Sequence, residues 1–593
     1  MNQEPNSFWK KSWKSPRGLL LWLIPLTLVF IMIYASGAVP DSLKNYLGLP
    51  AYALFFSLFV TLMLLFAVKF VRWVFCRRNF KRFLFGLACL ATLIALLYAE
   101  EDWRGKHDWE KYKREWEAKG EKFDFRDFVP PPVPDDQNFA MAPIFDATDK
   151  LASRRWRSKH RNQSPVDGGS DWDTNLVDRL AMETAHNGEE TATSFGWQRA
   201  KLCDLKYWQD YYRTLAAKTN EFPVSPQPES PAQDVSLALS KYDSAIEELR
   251  EAGQRPDSRF PLDYDDEDPA EILLPHLAAL KRCCLVLQLR AIAELENGQS
   301  EKALDDVKLM LRLADSIRTE PFIISQLVRF ANFQIALQPI YEGLAQHKWS
   351  DAQLAELNSE LAKLDFLAGY ELSVRGERAA HIKVIDWLEQ KRGRYWELFD
   401  MISNDQRNTM NNFYETVDQY LIPKGWFYQN DIVLAQMHQQ WNLPAVDDEQ
   451  QMVSPEKVAQ GDQAIESINQ PTPFNFLARL LLPALGNFAK KTAFAQTSVN
   501  LARVAVALER YLLAHGEYPD SLNALTPQFM EKIPHDIING QPLHYRRTDD
   551  GQFVLYSVGW NESDDGGIAV FEGKKTDRVD ISEGDWVWRY PAK

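Results

Sequence analysis

Three apolar runs near the start of the 593-residue chain constrain its architecture more than any other feature. They are Gly18–Ala38, Ala51–Val68 and Phe83–Ala99. Each is close to the roughly 20 residues that a helix needs to cross a hydrocarbon core. Left in water, runs of this length would keep a large apolar surface exposed. The sequence therefore predicts a membrane anchor of three transmembrane helices over residues 1–100.

Charged residues beside these runs predict their orientation. Three acidic residues, Glu100, Glu101 and Asp102, follow the third run. Because positively charged loops are retained in the cytoplasm, the N-terminus is expected inside a bacterial inner membrane and the large body outside, in the periplasm. The basic residues that set this orientation precede the first run and separate the second from the third: Lys10, Lys11, Lys14, Arg17, Lys69, Arg72, Arg77, Arg78, Lys81 and Arg82.

Two alternatives to this topology stay open. The first run ends in ASGA, which has the small residues of a signal-peptide cleavage site near Ala38. Cleavage there would leave the body outside. The third run, Phe83–Ala99, is the shortest, and if it were a core helix the body would lie in the cytoplasm.

Charge distinguishes the anchor from the body. The formal charge of the chain is −15, but residues 1–82 carry eleven Lys or Arg against two acidic residues, a net of +9, which leaves −24 for the remainder. An acidic body argues against a nucleic-acid partner, since phosphate binding needs a basic surface. A chain of this length is expected to form two or more domains.

Residues 101–148 are predicted to form a juxtamembrane helix, Trp103–Gly120, and a Pro-rich linker, VPPPVPDD. An aromatic stripe of Trp109, Tyr112 and Trp116 on that helix would pack on the body or lie at the membrane interface.

Residues 149–472 are predicted to form a helical body, which becomes repeat-like from about residue 235, where apolar residues recur at helical spacing. Stacked helical hairpins share a continuous core and can form a groove. Ser300 and Ser350 are predicted helix N-caps, the second in a capping box with Gln353.

Residues 473–593 read as a small α+β module. LARVAVALERYLLAH has one apolar helical face, GEYP ends the helix, and FVLYSVGW has the β-branched and aromatic residues of a strand. His535 and Asp536 are predicted to be surface residues of a turn.

This module resembles the globular part of the type II secretion pseudopilins. The resemblance implies their α+β fold over roughly the last 100 residues, and an acidic loop that binds calcium structurally. The overall prediction is a mainly α protein: three transmembrane helices, an irregular helical repeat-like body and a pseudopilin-like module. The matching residues are Gly516, Tyr518, Pro519, Leu522, Leu525, Pro534, Asp536, Tyr545 and the segment FVLYSVGWNESDDGG.

Other segments are similar to a group of bacterial membrane-anchored proteins. They are GEKFDFRDFVPPPVPDDQNFAMAPIF, LADSIRTEPFIISQLVRFANFQIALQPI and SVGWNESDDGG. This second resemblance implies a membrane-anchored architecture and no particular activity.

The acidic loop NESDDGGIAVFE is the candidate metal site. Counted from Asn561, oxygen-bearing side chains occupy the first, third and fifth positions of the loop, Gly566 the sixth and Glu572 the twelfth. This is the spacing of an EF-hand calcium loop. Strand-like segments flank it in place of helices. The pseudopilin resemblance also implies calcium, and a solvated acidic turn is the alternative. The predicted ligands are Asn561, Ser563, Asp564 and Asp565.

The five cysteines are too few for a disulfide-rich scaffold. In an oxidising compartment, Cys203 is a possible disulfide partner for either Cys283 or Cys284, and burial of these thiols as small apolar side chains is the alternative. The sequence contains no H-E-x-x-H, G-x-S-x-G, G-x-G-x-x-G, paired C-x-x-C or P-loop motif, so no catalytic or cofactor-binding residue is predicted.

These observations favour a non-enzymatic, membrane-anchored envelope protein with an exported helical binding or scaffold domain and a protein partner in the envelope. One alternative is a component of a type II secretion or pilus-like assembly. Another is a membrane-anchored hydrolase whose site residues are not adjacent in sequence.

Overall fold

A computed structural model describes most of the chain, which divides into two compact units, Met1–Glu100 and Glu101–Lys593. Helices predominate and the sheets are few and small, which confirms the mainly α prediction. The described residues are 49–74, 77–145, 196–219, 222–266, 272–391, 422–468, 472–482, 485–573 and 578–591.

Among the described residues, one helix is long and apolar enough to cross a membrane. It is the stretch Phe80–Glu117, whose most apolar window has a mean hydropathy of 2.0 and no buried residue. The described residues thus contain one candidate span in place of the three predicted, and it includes the third run. The second run lies in helix α1 (Leu49–Val74), whose apolar stretch Ser57–Lys69 is shorter than a span. The first run, Gly18–Ala38, lies outside the described residues.

The third run and the predicted juxtamembrane helix are one element, the 41-residue helix α2 (Arg77–Glu117). The expectation of a separate helix starting at Trp103 is therefore wrong, because helical sequence continues through the acidic residues that follow the apolar run. Trp109 is buried against Phe123, and Tyr112 and Trp116 pack beside them, which places the aromatic stripe in the protein core.

The linker after α2 is held against the body rather than extended from it. Glu121 accepts a hydrogen bond from the fully buried guanidinium of Arg378, at 2.8 Å, and Arg259 donates to the carbonyl of Pro130 at 3.0 Å. Asn138 bonds both the N–H and the carbonyl of Arg259, at 2.8 Å each. These contacts fix the Pro-rich segment on the helical body.

Antiparallel helical hairpins build most of the larger unit. The predicted capping box is confirmed, since Ser350 and Gln353 bond each other's backbone N–H groups. The prediction for Ser300 is wrong, because that residue is the first of its helix and Gln299 is the N-cap. The helices are α3 (Leu205–Thr219), α4 (Pro231–Leu239), α5 (Asp243–Gly253), α6 (His276–Glu296), α7 (Ser300–Asp315), α8 (Ile323–Ala345), α9 (Asp351–Leu361), α10 (Phe366–Gln390), α11 (Gly425–Met437), α12 (Pro455–Ser467), α13 (Phe476–Leu481) and α14 (Leu485–His515).

Two kinds of β-structure accompany these helices. A small hairpin of β1 (Val446–Asp447) and β2 (Met452–Val453) precedes α12. After α14, three antiparallel strands pair in the order β3-β4-β7, and β5 pairs with β6 separately. These strands are β3 (His544–Arg547), β4 (Phe553–Ser557), β5 (Ala569–Phe571), β6 (Val579–Gly584) and β7 (Trp586–Arg589).

Residues 473–593 do not form a compact unit of their own, because they share one hydrophobic core with the helical body. Trp588 of β7 is fully buried, with its ring 5.2 Å from that of Trp197, and Tyr341 of α8 donates to the carbonyl of Arg589 at 3.1 Å. Helix α14 is buried on more than its one predicted face, since Ala502, Val506 and Ala507 are also inaccessible.

Candidate functional site

A cavity of about 350 Å³ lies between α3, α4, α6 and α8. Its walls combine the buried apolar side chains of Leu205, Ala232, Ile292 and Leu295 with polar ones. The polar part of the lining includes the carboxylate of Glu342. Concave sites that offer both apolar surface and polar groups are where proteins usually bind small ligands.

Local sequence signals place the walls of this cavity. Helix α4 starts at Pro231 because Ser230 and Gln233 form a capping box at its N-terminus. Helix α6 ends at Glu296, and its C-cap residue Asn297 donates to the hydroxyl of Ser236 on α4 at 3.0 Å. This bond joins the C-terminal end of α6 to α4 beside the cavity.

Glu342 is the most unusual residue in the cavity lining, because its side chain is almost wholly buried, at 4% exposure. Its Oε1 accepts hydrogen bonds from Gln338 Nε2 at 2.7 Å and from the backbone N–H of Cys203 at 2.9 Å. Gln338 also bonds the carbonyl of Lys201 at 3.1 Å, which ties the segment before α3 to α8. Two distant parts of the sequence, the segment before α3 and helix α8, therefore meet at one carboxylate oxygen.

Burial raises the pKa of Glu342 to about 7, an effect that the hydrogen bonds from Gln338 and Cys203 oppose and that the charge of Glu296 reinforces. No Lys or Arg of the described residues contributes to this shift. Buried carboxylates are normally paired with a cation or a metal ion. Glu342 is thus a buried acid that lacks a counter-charge within the described part of the chain.

The other charged groups of the lining already have partners. Glu296 lies 3.6 Å from Lys348, measured between Oε2 and Nζ. Lys206, which is exposed at the edge of the cavity, pairs with Asp210 one turn along α3. The protein therefore leaves Glu342 available for a group that enters the cavity.

The four predicted calcium ligands lie in the exposed loop between β4 and β5. The side chain of Asn561 donates to Asp565 at 2.9 Å, and the backbone N–H of Ser563 donates to Asn561 at 3.1 Å. Asp564 accepts from the hydroxyl of Tyr556 at 3.0 Å. The two carboxylates thus have separate partners, and the described residues contain no group of three or more His, Cys, Asp or Glu side chains arranged around a metal position. Calcium binding by this loop stays a prediction.

Asp585, a residue that the sequence did not single out, organises the acidic loop. Its carboxylate accepts hydrogen bonds from the backbone N–H groups of Asp565, Gly567 and Ile568, at 3.2, 2.7 and 3.2 Å. Asp536 has a similar structural role nearby, since it is buried and accepts from Ser557 Oγ and the N–H of Val558. The prediction that Asp536 lies on the surface is wrong, because its carboxylate replaces missing backbone partners within the fold.

No disulfide links the described cysteines. Cys283 and Cys284 are both buried in the core of α6, and Cys203 is half-buried beside Glu342. The possible disulfide of Cys203 is not formed, and the alternative of buried thiols holds for the adjacent pair. Burial raises the pKa of Cys283 to about 12, which makes it unreactive as a thiolate.

A buried Ser–Glu–His group bears on the hydrolase alternative. Ser325 donates to Glu320 Oε2, and the other oxygen of Glu320 lies 2.8 Å from His276 Nε2. In a nucleophile–base pair the hydroxyl bonds the imidazole. Here the carboxylate lies between them, so His276 is not positioned to take the proton of Ser325.

A second buried polar group also escaped sequence analysis. His381 of α10 and His438, which starts a π-helical turn after α11, have ring centroids 6.4 Å apart. Burial lowers the pKa of His381 to about 4, and burial together with the nearby His381 and Arg378 lowers the pKa of His438 well below its usual range. Both histidines lie within packed helices rather than in the lining of the Glu342 cavity.

Another cavity, of about 310 Å³, lies beside α11 and α13. Asn430, the amide in its lining, already donates to the carbonyls of Trp426 and Pro473 and accepts from the N–H groups of Leu477 and Ala478. Its hydrogen bonds are used to hold two segments together. The cavity at Glu342 is therefore the better candidate for ligand binding.

Comparisons with protein-family models, with curated proteins and with solved structures found no match to this chain. The functional argument accordingly depends on the geometry around Glu342.

Proposed function

We propose that this chain is a non-enzymatic, membrane-anchored binding protein whose helical body takes a ligand into the cavity at Glu342. The observation that carries this proposal is a buried carboxylate without a counter-charge in the lining of a 350 Å³ cavity. A buried carboxylate without a partner destabilises the folded state, and a bound group of opposite charge would offset this loss of stability.

The proposed site of action is the bacterial envelope, with the body exported from the cytoplasm. Support comes from the exposed apolar part of α2 and from the change of charge across it, from Lys81 and Arg82 before the apolar run to Glu100 and Glu101 after it. A protein partner in the envelope belongs to the same proposal. The hairpins of the body are read as an irregular helical repeat.

A role in a type II secretion or pilus-like assembly is the second candidate. Its support is the order of elements in the C-terminal region, where α14 is followed by the GEYP turn and an antiparallel sheet, as expected of a pseudopilin-like module. Burial of α14 within the shared core leaves that helix little free surface for contacts with other subunits. We therefore favour the binding protein.

The proposal is tested by identifying what co-purifies with the full-length protein. The protein is extracted in mild detergent, denatured, and the released compounds are analysed by mass spectrometry beside those from a Leu202→Trp variant. Leu202 is partly exposed in the cavity lining, so a larger ring there fills the cavity without disturbing the core. A compound released by the wild type and missing from the variant supports the proposal, and identical sets of compounds contradict it.

A further inference from the structure

We propose that the ligand carries a protonated aliphatic amine, with its ammonium group on Glu342 and its apolar stem against Leu205, Ile292 and Leu295. This inference rests on the proposed function and deepens it by naming the chemical class of the ligand.

The requirement for positive charge follows from the surroundings of the carboxylate. Glu342 lies among buried apolar side chains, and no described cation is close enough to shift its pKa. An ammonium group that reaches it forms a charge-assisted hydrogen bond, which is stronger than a neutral one. An anion would be repelled both by Glu342 and by the neighbouring Glu296.

The hydrogen bonds already made by Glu342 favour an amine over a guanidinium group. Oε1 accepts both Gln338 Nε2 and the N–H of Cys203, whereas Oε2 receives no hydrogen bond from the described residues. A guanidinium group binds best to both oxygens of a carboxylate at once. An ammonium group is a compact point charge that needs only one of them, and Oε2 supplies it.

The described lysines near the cavity do not provide this amine themselves. Lys348 pairs with Glu296, and Lys206 pairs with Asp210 on the exposed side of α3. The ammonium group must therefore come from outside, either from a small free amine or from the lysine side chain of a peptide. Both present the same chemistry to Glu342, a charge at the end of an apolar stem.

The test uses calorimetric titration of the full-length protein in detergent at pH 8. Pentylamine is the probe and pentanol is its neutral counterpart of nearly equal size. We expect pentylamine to bind at least about tenfold more tightly, as fits the gain of a hydrogen bond to a charged group. Glu342→Gln should remove this preference and leave pentanol binding unchanged. Glu356→Gln, which alters an exposed carboxylate that already pairs with Lys308 outside the cavity lining, is the matched control and should keep this preference.

Two further probes distinguish the sources of the amine. N-acetyl-lysine methyl ester, compared with N-acetyl-norleucine methyl ester, represents a peptide side chain. Tighter binding of the lysine ester than of pentylamine indicates a peptide ligand, and the reverse order indicates a small amine. Either result supports the inference.

Equal affinity for pentylamine and pentanol, no measurable pentylamine binding, or an unchanged preference in Glu342→Gln would overturn the inference. The Leu202→Trp variant shows whether only the amine inference is wrong or the proposed ligand site itself is wrong. If that variant loses a co-purifying compound while the amine preference is absent, the cavity binds a ligand of another class. If it loses nothing, the cavity is not a ligand site at all.

Discussion

His347 and Glu509 connect the helical body to the C-terminal helix, with His347 Nδ1 2.6 Å from Glu509 Oε1. His347 lies two residues after the end of α8 in a left-handed backbone conformation, and Glu509 is fully buried on α14. The second oxygen of Glu509 accepts the hydroxyl of Tyr518 at 2.9 Å. Tyr518 belongs to the GEYP turn, so one carboxylate joins α8, α14 and that turn.

Removal of the Tyr518 hydroxyl should therefore destabilise the joint between these regions. Tyr518→Phe leaves a buried oxygen of Glu509 without its donor, which costs about 1–3 kcal/mol. We expect a lower thermal unfolding midpoint for this variant. Tyr511→Phe is the control, because its hydroxyl bonds no group in the described part of the chain. Equal midpoints for the two variants would show that the Glu509 contacts do not stabilise the fold.

The affinity for an amine should depend on pH. Glu342 must be ionised to hold an ammonium group, and its pKa is raised to about 7, while an aliphatic amine stays protonated to about pH 10. Pentylamine binding should therefore strengthen about tenfold between pH 6 and pH 8, and the titration in Glu342→Gln should be flat. Calorimetric titrations at the two pH values measure this, and equal wild-type affinities would exclude Glu342 as the binding group.

The same shift predicts how the stability of the ligand-free protein changes with pH. The folded-state pKa of Glu342 lies above the value of about 4.5 that is ordinary for a glutamate, so the folded protein binds more protons than the unfolded chain between these two values. The contribution of Glu342 to stability is accordingly greatest below about pH 4.5 and is lost as the pH rises to about 7. Glu342→Gln should reduce this loss, as measured by thermal unfolding from pH 5 to pH 8.

Calcium binding by the acidic loop has a separate test. If Asn561, Ser563, Asp564 and Asp565 hold calcium, the ion stabilises the folded state, by about 2.7 kcal/mol at a hundredfold excess over the dissociation constant. The thermal unfolding midpoint of the full-length protein should rise with calcium, and Asp565→Ala should lose the response. Asp549→Ala, an exposed aspartate outside the loop, serves as the control. A wild-type unfolding midpoint that does not change when calcium is added would contradict this prediction.

The proposed topology places the body outside the cytoplasm. Proteinase K added to intact spheroplasts should therefore destroy an epitope fused to the C-terminus, and an N-terminal epitope should survive until the cells are lysed. A C-terminal epitope that is protected in intact spheroplasts would place the body in the cytoplasm. That outcome would favour the alternative in which Phe83–Ala99 is a core helix rather than a transmembrane helix.

Local features of the fold were predictable, and features made by distant segments were not. The capping box of Ser350 and Gln353 depends on four consecutive residues, so its pattern was visible in the sequence. Helix α14 was expected to bury one face, but the body and the C-terminal sheet enclose it from different sides. Helical periodicity does not report such a tertiary arrangement.

The candidate site was missed for the same reason. Glu342 lies in an apolar helix, and its setting arises only when the segment before α3 reaches α8 through Cys203 and Gln338. The available signal was a lone acid within the apolar stretch IALQPIYEGLA, which is uncommon inside a core helix. The role of Asp585 was not predictable from the sequence for the same reason, since its three backbone partners lie 17–20 residues earlier in the chain.

The most direct test of the cavity as the working surface is photo-crosslinking in living cells. p-Benzoylphenylalanine in place of Lys206, an exposed residue of the cavity lining, reports what enters the cavity, and the same group in place of Lys363 reports an unrelated surface. We predict an adduct from position 206 that is absent from position 363 and is lost when Leu202→Trp fills the cavity. An adduct from position 206 that persists in the Leu202→Trp protein, or equal adducts from both positions, would contradict the account.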